Sequence, residues 1–83
     1  MMPEELLRVY PRETLGWLRG WLGLSQQYLA DILNVVPTAV SRWETGHHAI
    51  APQHRAQLAA LLAPHLATPE GAAFTQSLRR GAE

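Results

Sequence analysis

The sequence contains no cysteine, so neither a disulfide framework nor a thiolate zinc site can stabilise its fold. It also contains no lysine, and its seven basic residues, all arginine, balance seven acidic residues to a formal charge of zero. A neutral balance argues against a protein that coats polyanions indiscriminately. No apolar run approaches the roughly 20 residues of a membrane span, and Glu4 and Glu5 stand where a signal peptide would need positive charge. These absences favour a cytoplasmic protein without a membrane role.

The 83 residues suffice for one small core and therefore for a single compact unit. Apolar residues recur three and four positions apart, and no stretch alternates with period two over the length of a strand. Four prolines precede helix-forming runs, as is typical of a first helical position: Pro11, Pro37, Pro52 and Pro69. The pattern predicts an all-α protein, a compact bundle of four to five helices.

Local start and stop signals predict the helix boundaries. Long or medium helices are expected at about 11–22, 26–33, 37–45 and 52–63, with ends marked by Gly23, Asn34, Gly46 and Pro64. Ser25 is the expected N-cap of the second of these helices. Residues 3–9 can add a further turn in front. A fifth helix after Thr68 is left open, because Gly71 and the pair Arg79-Arg80 weaken that pattern.

Residues 24–46, LSQQYLADILNVVPTAVSRWETG, predict two short helices joined by a tight turn. Two helices so joined cross at about 90–120°, and the second projects outward. The spacing of Val40 and Trp43 places both on its inner face, which favours core packing of the tryptophan over stacking on nucleic-acid bases. The outer face is left with Pro37, Thr38, Ser41, Arg42 and Thr45. Such a face suits the major groove of DNA.

This segment resembles the Cro/cI (Xre) family of helix-turn-helix regulators, whose usual pattern is LTQEELA, a turn, and ISRWENG. The matching residues are Leu24, Ser25, Gln26, Leu29 and Ala30, then Val40, Ser41, Arg42, Trp43, Glu44 and Gly46. The resemblance covers about residues 15–63 and implies a lambda-repressor-like fold and a sequence-specific regulator that binds double-stranded DNA. Two residues depart from the pattern: Asn34 replaces the usual glycine of the turn, and Val36 replaces the serine that caps the third helix.

The resemblance also implies roles for individual residues. Those nearest the bases would be Pro37, Thr38, Ser41 and Arg42. The guanidinium fork of Arg42 suits guanine O6 and N7, and the methyl of Thr38 can touch thymine. Phosphate contacts are expected from the residues on either side of the recognition helix, namely Ser25, Gln26, Thr45, His47, His48, Gln53, His54 and Arg55. Arg19 and Glu44 would form a structural ion pair between the first and third helices.

Three histidines cluster at His47, His48 and His54, but no Cys, Asp or Glu lies among them to complete a metal site. No metal, cofactor or small-molecule ligand is therefore expected. Ser25 and Ser41 have no positioned base beside them in the sequence, and neither a glycine-rich phosphate loop nor a carboxylate pair appears. The sequence predicts a protein that is not an enzyme.

We divide the chain into a helix-turn-helix domain at 1–63, with its motif at 25–46 and recognition helix at about 37–45, and a C-terminal extension at 64–83. The extension is expected to form a short helix for packing or dimerisation. Trp17 and Trp21 form a second apolar face on the first long helix. The apolar residues left to cover this face, within the chain or across a dimer axis, are Leu6, Leu7, Phe74 and Leu78.

The sequence thus predicts a repressor or autoregulator that binds a palindromic operator as a homodimer. An alternative of a different class is an antitoxin or adaptor whose main surface is the Trp17 and Trp21 face. Its partner would then be a toxin or another protein, and DNA binding would be secondary. The zero net charge is the observation that best supports this alternative.

Overall fold

The computed structural model describes residues 2–82, and within that range it consists of six α-helices and their connections. The helices are α1 (Pro3–Val9), α2 (Pro11–Leu22), α3 (Gln26–Leu33), α4 (Pro37–Thr45), α5 (Pro52–Leu66) and α6 (Pro69–Ala82). The predicted all-α fold is confirmed. Within residues 2–82 the bundle has six helices, one more than the four to five predicted, because residues 3–9 and 69–82 both form complete helices.

Helices α2, α3 and α4 begin and end where the local signals predicted. Ser25 caps α3, and its Oγ accepts a hydrogen bond of 3.0 Å from the backbone N–H of Tyr28. Gly23 ends α2 at φ +68° and Gly46 ends α4 at φ +82°, left-handed conformations that glycine adopts without steric cost. Asn34 ends α3 at φ +57°, which asparagine tolerates better than most residues.

The predicted end of the fourth long helix at Pro64 is wrong, because α5 continues to Leu66 with Pro64 inside its last turn. A proline at this position removes the N–H that would bond to the carbonyl of Ala60. Ala60 and Pro64 are both exposed, so water can bond to the carbonyl left without its partner. Leu66 then packs against the core, and this burial offsets part of the cost of the missing bond.

The short helix α1 is held by tertiary contacts, since seven residues are too few for a stable isolated helix. Its Leu6 and Leu7 are 0% and 1% exposed, and the helix packs against α2 and α5. The buried hydroxyl of Thr14 on α2 donates to the carbonyl of Leu6 at 3.3 Å. The N-terminal segment is therefore an integral layer of the bundle.

The corner between α5 and α6 is tight. The hydroxyl of Thr68 donates to the carbonyl of His65 at 2.6 Å and accepts from the N–H of Gly71 at 3.1 Å, so Thr68 caps the start of α6. Gly71 is buried where α6 crosses the end of α5. A Cβ atom added at Gly71 would lie 2.5 Å from the Cα of Leu66, so the corner requires glycine.

The core is aliphatic apart from Trp43, and every helix from α1 to α5 contributes to it. Its buried members are Leu6, Leu7, Leu15, Leu18, Leu29, Ala30, Leu33, Val40, Trp43, Ile50, Leu58 and Leu62. Among the described residues no helix is both long enough and apolar enough to cross a membrane. The packing of this core fixes the orientation of α3 and α4, which carry the predicted site.

Candidate nucleic-acid interface

Helix α4 packs against the core on one side and is exposed to solvent on the other. Val40 is 0% exposed and Trp43 is 5% exposed, so both side chains hold the helix against the core. Thr38 and Arg42, four residues apart and therefore neighbours on the helix surface, are exposed. Pro37 and Ser41 are partly exposed beside them. The four residues predicted to lie nearest the bases thus share the outer side of α4.

The beginning of α3 provides a second group of candidate contacts. Ser25 is exposed, and Gln26 at the first position of the helix is half-buried. The N–H groups of the first helical turn have no carbonyl partners within the helix, and together with the helix dipole they favour an anion. An anion would be favoured at this end of α3, and the phosphate contacts of Ser25 and Gln26 stay a prediction.

The loop after α4 exposes the side chains of Thr45, His47 and His48. The backbone N–H groups of His47 and His48 both donate to the carbonyl of Arg42, at 2.9 and 3.3 Å. These bonds supply partners for a carbonyl in the last turn of α4. A hydrogen bond of 2.7 Å joins Thr45 Oγ1 and His47 Nδ1. The Thr45 and His47 side chains are thus in contact at the end of α4, and His48 is exposed directly after them in the chain.

Two further predicted contacts lie at the beginning of α5. Gln53 is exposed, and His54 is partly buried against Trp43, with ring centroids 5.6 Å apart. Nδ1 of His54 also makes a hydrogen bond of 3.2 Å with the side chain of Gln57. His54 thus joins the start of α5 to the core side of α4.

Arg55 stands apart from the other predicted phosphate contacts. Its Nε lies 3.6 Å from a carboxylate oxygen of Glu4 on α1, and its side chain is only 21% exposed. Arg55 follows His54 in α5, and successive side chains of an α-helix point about 100° apart around its axis. Helix α1 packs against α5, and Arg55 extends toward it. In the structure this arginine therefore lies beside Glu4 of α1, and its contact with a phosphate stays a prediction.

Arg19 and Glu44, which the resemblance paired, are joined by two hydrogen bonds. Nε and Nη2 of Arg19 donate to the two carboxylate oxygens of Glu44 at 2.7 and 2.9 Å, a bidentate geometry. Nη1 of Arg19 also donates to the carbonyl of Leu24, at 3.1 Å. The hydrogen bonds with Glu44 raise the pKa of Arg19, and partial burial opposes them. The pair ties α2 to α4 and to the segment that begins α3.

The tryptophan face of α2 is covered within the chain by α6. The rings of Trp17 and Phe74 stack with centroids 4.9 Å apart, and Trp17 stacks on Trp21 at 5.5 Å. Nε1 of Trp21 donates to Nδ1 of His65 at 2.9 Å. Leu78, one turn after Phe74, is partly buried. Trp21 remains 43% exposed, so the cover is incomplete.

Sequence reasoning did not include Val36, the residue that precedes α4, among the site residues. Val36 is 64% exposed and directly precedes Pro37 and Thr38 in the sequence. The signal that the sequence offers is the valine itself, which stands where the family pattern has a capping serine. Among residues 2–82 no group of three histidine or carboxylate side chains converges as a metal site would require.

Comparison with known proteins agrees with this geometry. A family model described as helix-turn-helix matches residues 15–63, more than half of the chain and the segment from α2 to most of α5. No curated protein and no solved structure matches the sequence.

Proposed function

Because this chain belongs to the helix-turn-helix family of the Xre, Cro and cI type, and is thus a DNA-binding transcription regulator, we propose that it is a repressor or autoregulator that binds a palindromic operator as a homodimer. The observation that carries the proposal is the outer side of α4. Thr38 and Arg42 are exposed there, whereas Val40 and Trp43 hold the helix to the core. A hydroxyl, a methyl and a guanidinium can each recognise a base edge in the major groove.

The proposal of a homodimer is supported by the small number of candidate base-reading groups on one copy. One helix of nine residues exposes three or four side chains to the groove, too few to select one site in a genome. Two copies related by a two-fold axis would place their recognition helices one helical turn apart, about 34–36 Å. The longest dimension of the molecule is 32 Å, so two copies can lie side by side at that spacing.

Arg42→Ala is expected to weaken binding to the operator by about 2 kcal/mol and to relax the preference at one base pair in each half-site. The reason is the loss of a bidentate contact to guanine. Arg12→Ala is the matched control, since Arg12 is an exposed arginine on α2 that pairs only weakly with Glu13, at 3.7 Å. Binding affinities measured by titration of labelled duplexes should separate the two variants. An unchanged sequence preference in Arg42→Ala would show that this arginine does not read a base.

Selection of bound sequences from random duplexes tests the proposal as a whole. A palindromic sequence with half-sites about ten base pairs apart is expected, together with a complex that contains two protein chains per duplex. A promoter that overlaps this sequence should lose activity when the protein is expressed. A selected sequence without symmetry, or one chain per duplex, would contradict the homodimer; unchanged or increased promoter activity would contradict repression.

The alternative function, an antitoxin or adaptor, has one structural observation in its favour. Trp21 is 43% exposed on a face that otherwise consists of stacked aromatic rings. Retention on heparin or on random-sequence DNA at low salt separates the two functions, because a pure adaptor should pass through such a column unretained.

A further inference from the structure

Val36 breaks two local rules at the start of α4. It occupies the N-cap position, where Ser, Thr, Asp or Asn would accept a backbone N–H, and it makes no side-chain cap hydrogen bond. Its side chain is also 64% exposed, so a polar residue would fit there without loss of core packing. Positions at which a sequence departs from local preference without a structural gain are expected to be functional.

The start of α4 offers few donors to a phosphate. Pro37 has no N–H, and the N–H of Ala39 donates to the carbonyl of Val36 at 2.9 Å. Val36 and Pro37 therefore present carbon atoms at the start of α4, where α3 presents the hydroxyl of Ser25. This end of α4 is suited to an apolar partner.

We propose that Val36 recognises the C5 methyl group of a thymine in the major groove, an inference that rests on the proposed function. The N-terminal residues of a recognition helix contact base edges, and Val36 directly precedes Pro37 and Thr38. The thymine methyl is the apolar group that unmodified base pairs present in the major groove. Val36 is thus an exposed apolar residue directly before the base-reading residues of α4, and in this proposal it is a specificity-determining residue of the operator complex.

The test uses the sequence selected from unmodified random duplexes and the same duplex with single thymines replaced by uracil, which removes only the methyl group. For the full-length protein, one replacement per half-site removes two methyl groups from the operator and is expected to weaken binding about fifteenfold, about fourfold for each buried methyl group. Val36→Ser should bind the thymine duplex about as weakly as the unaltered protein binds the uracil duplex. The variant should then show no further loss when that thymine is replaced.

Thermal stability separates this role from a structural one. Val36→Ser gains a capping hydroxyl, so its melting temperature should rise while its affinity for the thymine duplex falls. Ile32→Ser is the matched control, because Ile32 is an aliphatic residue that is 44% exposed on α3. This control should keep the full sensitivity to uracil.

Two results would overturn the inference. One is a specific complex whose affinity is unchanged by uracil at every thymine of the operator. The other is a Val36→Ser variant that loses the same factor as the unaltered protein. Failure to select any sequence would instead overturn the proposed function, so the two failures are distinguishable.

Discussion

Gly71→Ala is expected to detach α6 from α5 and to lower the free energy of unfolding by about 3 kcal/mol, the upper part of the range for overpacking a tight contact. The added Cβ would lie 2.5 Å from Leu66 Cα and would also meet the carbonyl of His65. Both obstacles are backbone atoms, so no side-chain rotation can relieve the overlap. Displacement of α6 would also remove Phe74 from Trp17.

Gly16→Ala is the control for this prediction. Gly16 lies in the interior of α2, and a Cβ there would have nothing within 4 Å. Alanine should therefore stabilise the helix, by about 0.8–1 kcal/mol. Chemical denaturation gives both free energies, and tryptophan fluorescence reports the exposure of Trp17. A Gly71→Ala variant with unaltered stability and emission would show that α6 does not need this close approach to α5.

Glu44→Ala is expected to lower the free energy of unfolding by about 3 kcal/mol, because it leaves the guanidinium of Arg19 without its main partner in a partly buried position. The two side chains are 24% and 15% exposed, and their hydrogen bonds of 2.7 and 2.9 Å have near-ideal lengths. The loss of Glu44 also loosens the connection between α2 and the recognition helix.

The control is Glu5→Ala, which removes an exposed carboxylate 3.9 Å from Arg8 on α1. Surface pairs of this kind contribute about 0–1 kcal/mol, so this variant should melt close to the unaltered protein. The double variant Arg19→Met with Glu44→Leu is expected to lose less stability than Glu44→Ala alone, since it leaves no unpaired charge. Equal melting curves for Glu44→Ala and Glu5→Ala would show that the buried pair contributes nothing beyond a surface contact.

Much of the fold could be predicted because its boundaries are encoded locally. The signals are a capping hydrogen bond at Ser25 and a left-handed backbone at Asn34 and Gly46, each of which depends only on residues within one helical turn. Helices α2 to α4 lie where these local signals predicted them. The inward position of Val40 and Trp43 followed from spacing alone. Together these signals also indicated which residues of α4 face outward.

The rest depends on how the helices pack against one another and on which groups solvent can reach. Pro64 did not end α5, because the outcome depends on solvent reaching the Ala60 carbonyl and on the burial of Leu66. Gly71 looked unfavourable for a helix, yet the crossing of α5 and α6 requires it. Arg55 lies beside Glu4 because α1 packs against α5, and nothing in the sequence indicated this packing. These three features depend on the tertiary structure and could not be predicted from local sequence.

The packing of α1 against α5 has a consequence for the order in which the chain folds. The two helices are separated by more than forty residues, so their contact must overcome a large loop-closure entropy, whereas α3 and α4 are neighbours along the chain. A seven-residue helix has little stability before it docks. We therefore expect α1 to form late in folding and to open first in the native state. The backbone amides of Leu6 and Leu7, although buried, should exchange with deuterium faster than those of Leu33 and Val40.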